Sequence, residues 1–135
     1  MKRLTLAWFL ILSLTAFAQS EKRLALVVGN ADYVGKGNTL QNPVNDAKDV
    51  SAKLKTLGFE VTTVLNASML EMDDAIDAFG SKAKNYDVAL FYYSGHGVQS
   101  KGENYLVPVD AELTTEASIR ATTQPHKHER NKFYS

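Results

Sequence analysis

Along the chain, short continuous apolar runs alternate with longer stretches in which apolar residues return every third or fourth position. Leu24–Val28 is an unbroken apolar run closed by Gly29 and Asn30, which predicts a strand buried on both faces. A polar loop through Lys36, Gly37 and Asn38 follows. Asn42-Pro43 then predicts a helix start, with Asn42 as the cap and Pro43 at the first helical position. Ala47, Val50, Leu54 and Leu57 fall at helical spacing as its buried face, and Gly58 stops it. Phe59–Leu65, β-branched at Val61 and Thr63, predicts a second strand. Ser68-Met69-Leu70-Glu71 matches a capping box, and Met69, Met72, Ile76, Phe79 and Ala83 mark the inner face of the helix it opens. Val88–Tyr93 predicts a third buried strand, with Tyr92 and Tyr93 as strand and core residues. Val98–Ser100 and Asn104–Val107, on either side of Lys101-Gly102-Glu103, predict a β-hairpin.

Strands and helices alternating at this length predict an α/β fold, a parallel sheet with helices on both faces and right-handed crossovers. The crossovers predict the spatial order second, first, third strand. Functional groups in such sheets gather at the carboxyl ends of the strands. The third strand ends in Ser94-Gly95-His96-Gly97, a histidine between two glycines, and glycine lets a backbone turn sharply and approach a ligand closely.

Composition narrows the classes. A chain of 135 residues with 44% hydrophobic and 22% charged residues fits one globular domain. Lys plus Arg and Asp plus Glu stand at 15 each, so no basic footprint points to nucleic acid. The N-terminus reads as a leader: Lys2 and Arg3, an apolar run over Leu4–Phe17, then Ala16-Phe17-Ala18 as a cleavage site before Gln19. Residues 1–18 are therefore expected to be a signal peptide, the protein exported to periplasm or medium, with no stable membrane anchor after cleavage. An uncleaved anchor is the alternative, although the run falls short of the roughly 20 residues that span a bilayer. The chain contains no cysteine, which excludes disulfides within it. His126 and His128 form an H-x-H in a polar stretch; two ligands do not make a metal site, and neither metal nor cofactor is expected.

The run Val88-Ala-Leu-Phe-Tyr-Tyr-Ser-Gly-His-Gly-Val-Gln99 resembles the histidine motif of the caspase and metacaspase cysteine peptidases. Asn104-Tyr-Leu-Val-Pro-Val-Asp110 resembles the segment that follows it in the bacterial branch. Leu26-Val-Val-Gly-Asn30 with Tyr33, and Leu40–Ala47 with Leu57-Gly-Phe59, agree in order and spacing, so the resemblance covers Arg23 to Ala111. It implies the three-layer caspase-like (caspase-hemoglobinase) fold and a cysteine-type endopeptidase acting on polypeptide substrates. His96 matches the general base of a Cys–His dyad, which raises the thiolate fraction of its partner. Gly97 matches the residue whose backbone N–H holds the oxyanion. Asp46 matches the acid that lines the pocket for a basic Arg or Lys side chain. Each has a plainer alternative: a structural histidine, a glycine that permits a turn, and a first-turn acid favoured by the helix dipole.

One departure accompanies the match. The family delivers its nucleophile on a fourth buried strand in a motif like Leu-Asp-Ala-Cys-Arg, which this chain lacks. The domain is therefore expected to be incomplete, residues 22–119 forming its N-terminal part and 120–135 a structureless or frameshifted tail. The sheet edge beside the first strand is expected to be left open where the fourth would pair. Two function classes follow: the histidine-bearing part of a peptidase, inactive without a missing C-terminal segment, or a non-catalytic peptide-binding or protein-interaction module. A flavodoxin-like or receiver-like domain shares the alternation but accounts for neither Ser94–Gly97 nor the run from Asn42 to Asp46.

Overall fold

The computed structural model describes residues 21–35, 37–112 and 124–125. The expected signal peptide, residues 1–18, and the His126–His128 pair lie outside the described residues.

Strand β1 (Arg23–Gly29) is buried from Leu24 to Gly29. Its side chains alternate between two faces, and both are covered because a helix packs on each. Strands β2 (Phe59–Leu65) and β3 (Val88–Ser94) flank it in parallel, in the expected order β2-β1-β3. The register aligns Arg23 with Phe59 and Val88, and Gly29 with Leu65 and Ser94, so all three strands end level. Full burial of an aliphatic side chain stabilises by roughly 1.5–3 kcal/mol, which makes Leu24, Leu26, Val27 and Val28 the main contributors here. The expected open edge beside the first strand is corrected by this order. β1 has a neighbour on each side, and the edges are β2 and β3.

Helix α1 (Pro43–Thr56) covers one face, Ala47 and Leu54 packing with Ala25 and Val27 and with the half-buried Val50, Val61, Leu90 and Tyr92. Gly29 allows this closeness: a Cβ there would stand 2.5 Å from the Pro43 carbonyl oxygen and 2.6 Å from the Ala47 Cβ. Three details differ from the sequence reading. Asn42 takes helical angles and its side chain makes no capping bond. Leu57 is 48% exposed, as it caps the helix instead of facing the sheet. Ser51, which the apolar spacing passes over, is buried beside Ala47 and Leu54, and its hydroxyl accepts from Thr63 Oγ1 at 2.7 Å and so is not left unsatisfied.

Helix α2 (Met69–Ala83) covers the other face. Its capping box forms as predicted, Ser68 Oγ accepting from the Glu71 N–H and Glu71 Oε2 from the Ser68 N–H at 2.9 Å. Of its expected inner face, Met72 and Ala83 are buried, whereas Met69, Ile76 and Phe79 are only half-buried. The hairpin pairs β4 (Gly97–Ser100) with β5 (Glu103–Leu106). Lys101 and Gly102 turn it with φ of 51° and 80°, the two positive angles that match the twist of a two-residue hairpin. A two-residue strand β6 (Gln124–Pro125) pairs antiparallel with β5. Apart from this pair, the expected tail from residue 120 lies outside the described residues.

Candidate active site

The three strands end together, and the loops leaving them are tied by one buried amide. Asn30 is fully buried. Its N–H donates to the Ser94 carbonyl at 2.9 Å, extending the β1–β3 ladder by one residue. Its Oδ1 accepts from the Ala67 N–H at 2.9 Å, and its Nδ2 donates to the Val107 carbonyl at 3.1 Å and to Met72 Sδ at 3.4 Å. One side chain thus joins β1, the start of α2 and the segment after the hairpin, with each polar atom partnered. Asn66, at φ 52°, does similar service after β2. Its Oδ1 accepts from the Ala31 and Asp32 N–H groups, and its Nδ2 donates to Asp32 Oδ2.

His96 follows β3 directly and is half-buried. Its Nε2 lies 3.0 Å from the Asn38 carbonyl oxygen. A carbonyl can only accept, so in the neutral ring Nε2 carries the proton and Nδ1 keeps the basic lone pair. The ring packs on Tyr33, centroids 4.5 Å apart at a 52° tilt. The backbone of His96 is held as well: its N–H donates to Tyr33 Oη at 2.7 Å, and its carbonyl accepts from Tyr93 Oη at 2.8 Å and from the Val107 N–H at 3.2 Å. The two hydroxyls lie 3.1 Å apart, and Tyr93 Oη also reaches the Val107 carbonyl at 2.9 Å. Burial pushes both phenols above the ordinary tyrosine value.

Gly95 is the glycine that this packing demands. A Cβ there would stand 2.5 Å from Tyr33 Oη and 2.6 Å from Tyr93 Oη. Gly97 differs: a Cβ would meet only the Tyr105 carbonyl oxygen, at 3.7 Å, an ordinary contact. Gly97 is exposed at the start of β4. Asp46 is exposed in the first turn of α1, its N–H donating to the Asn42 carbonyl at 2.9 Å. His96 and Gly97 follow the carboxyl end of β3, and Asp46 lies in the helical turn that packs on Gly29 at the end of β1. All three therefore occupy one end of the sheet, and among the described residues no hydrogen bond joins Asp46 to His96. Among the described residues no group of three or more His, Asp or Glu could hold a metal ion.

These observations define a class. The chain belongs to the caspase domain family, whose family model matches residues 22–126. Over 92 residues it is 33% identical to mucosa-associated lymphoid tissue lymphoma translocation protein 1 of Homo sapiens, covering 68% of this chain and 11% of that protein. Over 93 residues it is 30% identical to Metacaspase-1 of Lodderomyces elongisporus, covering 61% of this chain and 20% of the relative. Caspase a of Danio rerio is 33% identical over 78 residues, 56% of this chain and 20% of that protein. The chain spans between a tenth and a fifth of the length of these curated relatives.

Sequence reasoning singled out His96, Gly97 and Asp46 but not the groups that hold the histidine. Tyr93 reads as a core residue from its strand, and Tyr33 only as part of a resemblance. Asn38 acts through its main-chain carbonyl, which no side-chain pattern reports. The available signal was Gly95: a glycine directly after a strand marks a close approach, and here the approaching atoms are the two phenols.

Proposed function

We propose that this chain is the histidine-bearing part of a caspase-like cysteine endopeptidase that cleaves after basic residues. The observation that carries the reading is His96, half-buried at the carboxyl end of the sheet with Nε2 engaged by the Asn38 carbonyl. That bond turns Nδ1 into the nitrogen free to take a proton from a thiol, the requirement of a Cys–His dyad. Gly97 supplies an exposed main chain beside it for the oxyanion, and its unobstructed Cα leaves room for a substrate carbonyl. The Asp46 carboxylate is exposed and bonded to no described residue, and is thereby available to a guanidinium or ammonium group of substrate. Residues 1–18, read as a signal peptide from Lys2, Arg3 and the apolar run to Phe17, would direct the chain to export.

The 135 residues contain no cysteine. On this reading the chain alone does not cleave, and a cysteine-bearing strand must join it. The same fact favours the second reading, a non-catalytic module that binds peptides or another chain. Mixing separates the two. The chain is combined with a separately expressed segment carrying a cysteine-bearing strand and assayed on Arg and Lys peptides. The peptidase reading expects thiol-dependent cleavage that disappears with His96→Ala and whose KM for basic peptides rises with Asp46→Asn. Binding of peptides without cleavage in any mixture would leave the second reading.

A further inference from the structure

The bonds around His96 have a direction, and it closes on itself. The His96 N–H can only donate, and does so to Tyr33 Oη at 2.7 Å. The His96 and Val107 carbonyls can only accept, and Tyr93 Oη serves both, at 2.8 and 2.9 Å. The Tyr93 proton is therefore committed to those carbonyls, and the 3.1 Å contact between the phenols is filled by the Tyr33 proton pointing at Tyr93 Oη. The chain of donors runs from the His96 N–H through Tyr33 and Tyr93 back to the His96 carbonyl. Gly95, with no side chain, lies against both hydroxyls and leaves them space to meet. The Tyr33 ring also supports the imidazole, at 4.5 Å between centroids. Hydroxyls of one tyrosine from the β1 loop and one from β3 thus hold both main-chain polar groups of His96, the N–H of one peptide unit and the carbonyl of the next.

We propose that Tyr33 and Tyr93 are positioning residues for His96: their coupled hydroxyls orient its main chain so that Nε2 meets the Asn38 carbonyl and Nδ1 is the nitrogen left free. This rests on the reading of His96 as the functional base for its use, though not for its geometry. The pair acts through His96 and touches no reacting atom. Tyr92 provides the contrast. It lies on the same strand, points to the opposite face and packs in the α1 cluster.

The test reads the ring itself in the full 135-residue chain, by the nitrogen chemical shifts of His96 at a pH where the imidazole is neutral. The wild type is expected to show the wide separation of a single Nε2–H tautomer, and slowly exchanging hydroxyl protons on Tyr33 and Tyr93. Tyr33→Phe, which keeps the ring and removes the hydroxyl, and Tyr93→Phe are each expected to collapse that separation toward the average of a free imidazole. Tyr92→Phe is expected to leave it unchanged. Gly95→Ala, which keeps both hydroxyls and pushes a methyl between them, is expected to act like Tyr33→Phe. Thermal unfolding of each variant accompanies the shifts, and a variant that does not fold is set aside in favour of the other two. If the folded hydroxyl variants lose stability while His96 keeps the wild-type separation, the tyrosines are structural only and the proposal fails. In the mixing assay, indifference to His96→Ala would overturn the peptidase reading while leaving the tautomer result standing, so the two failures are distinct.

Discussion

The two faces of the sheet are finished to different degrees. Under α1, Ala47 and Leu54 close over Ala25 and Val27, and partly buried side chains from all three strands complete the cluster. Under α2, contact runs mainly to β1. Phe79, Gly80 and Ala83 of the helix face Ala89 and Phe91 of β3 across an open groove of about 570 Å³, in which Ala89 is exposed. The difference follows from where each helix is tethered. α1 is drawn onto the sheet at its first turn by a backbone approach at Gly29 that excludes even a methyl group, and Leu54 carries the packing further along the helix. α2 is fastened at its start, where the Met69 N–H donates to Asp110 Oδ1 at 2.8 Å and Met72 meets Asn30. At its far end, Lys82 and Tyr86 reach across to Glu60 on β2. The α2 face is thus closed over β1, where Leu24, Leu26 and Val28 are buried, and open over β3, while α2 fastens the end that holds His96.

The largest effect should come from breaking the tight face. Gly29→Ala, which drives a methyl into the Pro43 carbonyl, and Leu54→Ala, which empties a buried site, are each expected to cost about 3 kcal/mol in denaturant unfolding. Phe91→Ala on the open face, where less packing is lost, is expected to cost no more than about half of that. Equal costs for Leu54→Ala and Phe91→Ala would erase the distinction between the faces.

A smaller effect separates the two ends of the sheet by pH. Burial raises the phenols of Tyr33 and Tyr93 in the folded chain. A raised folded value means stability that is complete below the unfolded value of about 10 and is lost as pH rises toward the folded one. Unfolding midpoints should therefore fall above about pH 10, and Tyr93→Phe should flatten that decline. An alkaline limb that is unchanged in Tyr93→Phe would place its origin elsewhere.

The smallest effect concerns the opposite end. Hydrogen bonds to Lys82 and then to Tyr86 hold the Glu60 carboxyl below its ordinary range, and Lys82 is raised in return by the same bond. By sign, the Glu60 contribution is lost as pH falls below the carboxylate range and the Lys82 contribution as pH climbs past the ammonium range. Glu60 and Lys82 are exposed, so solvent screens the cluster. Lys82→Ala is expected to leave the unfolding midpoint at neutral pH within error, and a clear drop would give α2 a second structural anchor.

The sequence by itself was enough for the layout. Three apolar runs, two amphipathic periods, the Ser68–Glu71 box and Gly58 specify local conformations, and local conformation with right-handed crossovers leaves the order β2-β1-β3 as the consistent sheet. His96 drew attention because a histidine between two glycines follows the third apolar run, whereas Gly97 and Asp46 were singled out only through the family resemblance. Tertiary structure alone decided how finished each face is and how His96 is held. Ile76 and Phe79 have the helical spacing of core residues, yet spacing records only which way a side chain points and not whether anything meets it. Leu57 is exposed despite its helical spacing for the same reason. The grip on His96 comes from residues far apart in the chain, with the Asn38 carbonyl on Nε2 and the Tyr33 and Tyr93 hydroxyls on its backbone. A main-chain acceptor has no residue type, and a hydroxyl gains its partner only when the loop after β1 folds back over the end of β3.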